Sequence, residues 1–212
     1  MPTFDNIEKK CAVCGHIQKC DVLISTSSFG PMDLDTRPAA PKRHTVIYEM
    51  EICEKCHYAH EDIEHFLEGL DKNLVFSSSY EAMATDKSID ENARKFILAG
   101  YLYKKCNDLL SSGLAYLQAS WVFDDLNQPE YAKRTRKKSL ENLFNYAEET
   151  GDMNIAVLTV DLQRRIGDFE GAIETAEQLI GFGAEDLLLK VLKYEINLCK
   201  INDDKCHNIS EA

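Results

Sequence analysis

Cys11-Ala12-Val13-Cys14-Gly15 and Cys53-Glu54-Lys55-Cys56 restrict this chain more than any other stretch. Two residues between cysteines let one tight turn aim both sulfurs at a single point. Thiolates suit zinc, and four of them fill its tetrahedral shell. The spacing therefore predicts one structural zinc site with ligands Cys11, Cys14, Cys53 and Cys56. Gly15 follows the first pair, where the chain must fold back and φ can turn positive. His57 stands after the second pair, so that turn lacks its glycine. Four thiolates leave no open position for a catalytic water. A redox dithiol wants a βαβ context, which neither pair has. A zinc deaminase wants His-x-Glu ahead of Pro-Cys-x-x-Cys, whereas Ile52 precedes Cys53 and His60-Glu61 follows the pair. His16, Cys20, His57 and His60 lie near enough in sequence to serve as substitute ligands.

Between the pairs, Val22-Leu23-Ile24 and the alternating run from His44 to Ile52 read as strands, with Val46, Tyr48, Met50 and Ile52 on one face. The connection from Thr26 to Pro41 holds three of the five prolines, which favours fixed turns over a regular element. Long ordered loops are often functional. Asp33, Asp35, Arg37 and Arg43 have two readings. As a ligand-binding loop, the arginines with Lys42 would grip a carboxylate or phosphate. As structure, Arg37 pairs with Asp33 or Asp35, and Phe29, Met32 and Leu34 plug the loop onto the rest of the chain. The second reading is the simpler one.

Tyr58 to Leu70 is acidic and reads as an amphipathic helix through Ile63, Phe66, Leu67 and Leu70. Phe76 to Ser88 is a weakly structured connection. About six helices are expected between Ile89 and Ile201, starting at Asp90-Glu91-Asn92 and including a long one from about Pro129 to Thr150. Phe96, Gly100, Tyr103, Tyr116 and Ala119 have the spacing of a tetratricopeptide unit, and Gly167-Asp168-Phe169-Glu170-Gly171-Ala172-Ile173 is similar to its turn and second helix. Trp121 reads as a core anchor and Asp124-Asp125 as a solvated helix end. Lys133, Arg136 and Lys137 share a helical face and are expected to pair with acidic neighbours. Cys106 and Cys199 read as small buried hydrophobes, and Cys206-His207 as a frayed tail.

Cys11-x-x-Cys14-Gly15, Thr26-Ser27-Ser28-Phe29-Gly30, Asp33-Leu34-Asp35-Thr36-Arg37-Pro38, Cys53-x-x-Cys56-x-Tyr58 and Ser120-Trp121-Val122-Phe123-Asp124-Asp125 together resemble a prokaryotic family catalogued as a domain of unknown function. Its members are similar in order, with zinc-ribbon-like cysteine pairs around the loop and then a tetratricopeptide-like helical tail. The resemblance covers most of the chain and implies architecture without an activity. His57 departs from the glycine such proteins usually carry.

The expected fold is mainly α with a small β, zinc-ribbon-like N-terminal part and degenerate tetratricopeptide-like helical hairpins. Residues 1–70 form the ribbon with its inserted loop and following helix, 71–88 connect, and 89–212 form the helical domain. A net charge of −12 argues against nucleic acid and anionic membranes as partners. No apolar run approaches the roughly 20 residues of a membrane span, and Met1-Pro2-Thr3-Phe4-Asp5 has no apolar signal core. A cytoplasmic protein is expected, where paired thiols mean metal more often than disulfide. No Gly-rich phosphate loop, His-Glu-x-x-His or Gly-x-Ser-x-Gly is present. The reading is a zinc-stabilised interaction module for a protein or peptide partner, with no catalysis of its own. The alternatives are a small-ligand or phosphoester-handling enzyme using Asp33, Asp35 and Arg37, and a weak nucleic-acid-binding ribbon.

Overall fold

Both cysteine pairs sit in the turns of hairpins. Strands β1 (Thr3–Lys10) and β2 (Ile17–Ser25) run antiparallel with Lys10 opposite Ile17, and Cys11-x-x-Cys14 lies in the turn between them. Strands β3 (Glu51–Ile52) and β4 (Ala59–His60) form a shorter antiparallel pair with Glu51 opposite His60. The structure is a computed structural model that describes every residue except Glu185. The chain is mainly α with this small β part. Among the described residues no helix is long and apolar enough to cross a membrane.

Two short helices, α1 (Lys72–Val75) and α2 (Ser78–Ala84), begin at the side-chain caps Asp71 and Ser77. Six longer helices follow: α3 (Glu91–Lys105), α4 (Leu109–Asp125), α5 (Pro129–Thr150), α6 (Met153–Arg165), α7 (Phe169–Gly181) and α8 (Asp186–Lys200). The breaks between them repeat one device. A left-handed residue ends each of four helices, Asn107, Asn127, Gly151 and Gly167. The next residue starts the following helix, and at Asp108, Asp152 and Asp168 its carboxylate accepts a first-turn N–H. Asparagine and glycine tolerate that backbone, and aspartate satisfies donors that the helix start leaves free. Each helix then packs on the next in sequence, from α3 to α8.

One apolar cluster runs from Cys11, Cys53 and Tyr58 through Phe96, Leu102, Trp121 and Phe123 to Leu162. A second joins Val160, Ala176, Leu192 and Ile196, and Leu34 of the Pro/Asp-rich loop inserts into it. The loop is therefore anchored through Leu34, while Phe29 and Met32, expected to plug it, are exposed. Cys199 is buried as expected, and Cys106 partly so.

Three expectations about regular elements need correction. Residues 58–70 form no helix, because their backbone groups have other partners. The Glu51 carboxylate accepts the Ile63 N–H at 3.0 Å, and the Tyr58 hydroxyl accepts the Leu67 N–H at 3.0 Å and donates to the His65 carbonyl at 2.9 Å. The run from His44 is not a strand either. A 3-10 helix covers Lys42–Tyr48, and only Glu51–Ile52 is extended. Tertiary packing of Thr45, Val46 and Met50 overrides the β-branched alternation. Finally, the segment around Cys206 is not frayed. The Leu34 N–H reaches the His207 carbonyl at 2.9 Å, and the Ile209 N–H reaches the Met32 carbonyl at 2.9 Å.

A candidate metal centre and the latch beside it

The four sulfurs meet because two local turns are copies of each other. The Gly15 N–H donates to the Cys11 carbonyl at 2.9 Å, and the His57 N–H donates to the Cys53 carbonyl at 2.8 Å. The Cys11 N–H bonds the His16 carbonyl at 2.8 Å, and the Cys53 N–H bonds the Tyr58 carbonyl at 2.9 Å. Gly15 has φ +71° and His57 φ +61°. Histidine is among the few residues that enter this region without severe strain, so the turn survives without glycine. Gln18 holds the two hairpins together, donating its amide N–H to the Ile52 carbonyl at 2.9 Å and accepting the Glu54 N–H at 2.8 Å. Lys9 adds an ion pair with Glu51 at 2.6 Å and another with Asp62 at 3.0 Å.

Cys11 and Cys56 sulfurs lie 3.7 Å apart, Cys14 and Cys53 sulfurs 3.6 Å apart, and all four fall within 4.8 Å of one another. Four thiolates at about 2.3 Å from a central ion would stand about 3.8 Å from each other, so the set fits a tetrahedral ion. Ionising these thiols is electrostatically unfavourable unless a cation is present. Burial pushes the Cys53 thiol up to about 11 and raises Cys56 further. Burial also opposes ionisation of Cys14, but hydrogen bonds from the His16 backbone and neighbouring cysteines outweigh it and lower that thiol. A cation supplies the charge that turns such a set into thiolates. His16, Cys20, His57 and His60 do not join the cluster.

The loop residues behave differently. Asp33 accepts Arg43 at 2.5 Å. Arg37 is buried and pairs with Asp125 of α4 at 2.5 Å. Asp35 is buried and accepts the Trp121 indole N–H at 2.8 Å, with Arg165 of α6 at 3.9 Å. Burial, reinforced by the neighbouring Asp161 charge, raises the Asp35 carboxyl above its ordinary value. Asp33, Asp35, Arg37 and Arg43 thus do not converge on one open cleft. The loop is latched onto the helices, and Arg37 takes Asp125 rather than a loop aspartate. Asp124-Asp125 ends α4 as expected and Asp125 stays exposed, but both carboxylates are paired, Asp125 with Arg37 and Asp124 with Arg136 and Arg165. Arg136 leaves the solvent face for this pairing and is buried.

Behind the latch lies a charge cluster that sequence reasoning missed. Arg164 is fully buried and donates to Glu195 at 2.5 Å, to Asp161 at 2.6 Å and to the carbonyls of Asp203 and Lys205 at 2.8 Å each. It fastens the C-terminal segment, which in turn fastens the loop. The doublet Arg164-Arg165 after an apolar helix was the available signal, because such a doublet must find carboxylates if its helix is buried.

Fold and site together define a mainly helical protein carrying a four-cysteine cluster able to hold a metal ion. The chain belongs to a bacterial family described as "Uncharacterized protein conserved in bacteria (DUF2225)", whose pattern matches residues 5–193. No curated protein and no solved structure matches it.

Proposed function

We propose that this protein is a zinc-stabilised interaction module whose helices hold an apolar, basic-flanked peptide. The observation that carries this reading is a groove of about 310 Å3 between α5, α6 and α7. Phe144, Ala147, Met153, Ala156, Leu179 and Phe182 line it, and Phe182 remains 78% exposed. Isolated exposed apolar residues are ordinary, but several converging on one concavity mark a binding surface. Glu148 also lines the groove, no lysine or arginine does, and the chain carries a net −12. Charge complementarity therefore selects a partner with lysine or arginine beside its apolar anchor.

Zinc is the metal that four thiolates at this spacing suit best, and its role is to hold the hairpins that support α3. The tetratricopeptide-like reading of residues 89–212 is supported by the approach of Gly100 to Tyr116, where an added Cβ would meet the ring at 3.1 Å. A phosphoester-handling role is disfavoured because Arg37 and Arg43 already hold carboxylates. The test is titration of a fluorescent peptide with one aromatic residue between lysines into the zinc-loaded protein. Binding weakened tenfold or more by Phe182→Ser and by Glu148→Lys supports the reading. Failure of a panel of such peptides to bind, or binding indifferent to both substitutions, removes it.

A further inference from the structure

The β1–β2 hairpin presents on its outer face the chemistry that the groove between α5 and α7 selects. Side chains alternate across a strand, and Gln18 and Cys20 are turned inward and buried. Ile17 therefore points outward near the tip, 55% exposed. Lys10 stands directly opposite it across the ladder, and Lys19 follows two residues on along the same face. Both lysines are exposed. Neither makes an ion pair among the described residues, although Glu8 stands opposite Lys19. An apolar side chain thus sits between two unpaired ammonium groups.

The tip is also held rigidly. The Cys11 N–H closes the turn on the His16 carbonyl at 2.8 Å, Gln18 ties the hairpin to Ile52 and Glu54, and Lys9 ties it to Glu51 and Asp62. A surface that is already ordered loses little entropy on docking. The same fastening keeps the tip from swinging to the groove of its own chain, which lies between α5, α6 and α7. That groove offers apolar walls and Glu148, with no basic residue in its lining. Ile17 between Lys10 and Lys19 is its complement in both respects. We infer that the groove of one copy receives the Ile17 tip of a second copy of this chain, an inference that rests on the groove being a binding surface. Tip and groove are different surfaces, so the contact is head to tail, and the copies close into a ring or extend as a filament. The net −12 of every copy opposes association and confines it to high protein concentration.

Sedimentation velocity of the full-length, metal-loaded protein over rising concentration tests this. The wild type is expected to gain mass with concentration, while Ile17→Ser and Phe182→Ser each stay monomeric. Both side chains are exposed, so neither change is expected to unfold the chain. Mixed in equal amounts, the two variants should form a dimer and stop there. One supplies an intact groove and the other an intact tip, and the dimer has neither left to offer. Lys19→Glu should weaken association tenfold or more. A wild type that stays monomeric near millimolar concentration overturns the inference. So does association indifferent to Ile17→Ser or to Phe182→Ser, and so does a mixture that forms no dimer. A monomeric wild type that still binds lysine-flanked peptides through Phe182 overturns self-docking alone and leaves the groove standing as a peptide site.

Discussion

Trp121 donates its indole N–H to the Asp35 carboxylate at 2.8 Å, across 86 residues of sequence. Both residues are buried, and Arg165 stands 3.9 Å from the same carboxylate. Removing one member of a buried charged set leaves the others desolvated and unpaired, at about 3–5 kcal/mol. Asp35→Ala is therefore expected to lower unfolding stability by that amount in urea, and to release the loop to proteases. Trp121→Phe should cost less, because the carboxylate keeps Arg165.

Metal is expected at about one zinc per chain by mass spectrometry. Cys53→Ser, or chelation of the wild type, should abolish both the metal and the hairpins at residues 3–60, because structural zinc sites of this kind contribute roughly 10–16 kcal/mol of apparent binding energy. Amide hydrogen exchange reads the outcome by segment. Uniform protection of residues 3–60 after chelation would show that the metal is not structural.

Glu195 is fully buried beside Asp161, and the two share Arg164. Burial pushes its carboxyl up to about 8, with Asp161 adding to the rise. A raised carboxyl favours folding while protonated. Its contribution is complete below the ordinary value of 4.5 and is lost as pH rises to about 8. The stability of wild type relative to Glu195→Gln should therefore fall between about pH 5 and pH 8, by as much as about 1.4 kcal/mol per pH unit. Urea unfolding of both proteins across that range measures it.

Gly113 lies where α4 meets α5, and a Cβ there would stand 2.4 Å from Leu143. Leu143 is fully buried and cannot yield freely. Gly113→Ala should cost about 1–3 kcal/mol, and Leu143→Ala in the same chain should cost less than the sum of the two single changes.

His57 can be replaced by glycine without loss of metal, since its φ of +61° is the glycine region. A β-branched residue is an outlier there. His57→Val is expected to cost about 1 kcal/mol or more and to weaken zinc retention against a chelator, while His57→Gly does not.

The cysteine spacing made the candidate metal centre legible because a Cys-x-x-Cys turn is closed within about five residues and needs nothing distant. The six helices were legible through apolar periodicity, and most of their ends could have been read from Asn107-Asp108, Gly151-Asp152 and Gly167-Asp168. The segment after Cys56 misled because its periodicity is helical while Tyr58 and Glu51 take its backbone groups. Nothing local announces that Arg37 will find Asp125, or that Arg164 will find Glu195. Such pairings depend on which helix faces are brought together, and periodicity does not encode that.

The loop of residues 26–41 has a consequence for how the chain is made. Its neighbours on either side hold the cysteines, so the thiolate centre can assemble once Cys56 has left the ribosome. The groups that seat the loop come later: Trp121 and Asp125, then Arg165, and last the strand-like contacts of residues 207–209 with Met32 and Leu34. The loop is thus flanked by turns that can close early and is fastened by groups made long after it, and a chain stalled before residue 200 would have its metal turns closed and its loop still lacking the contacts of residues 207–209.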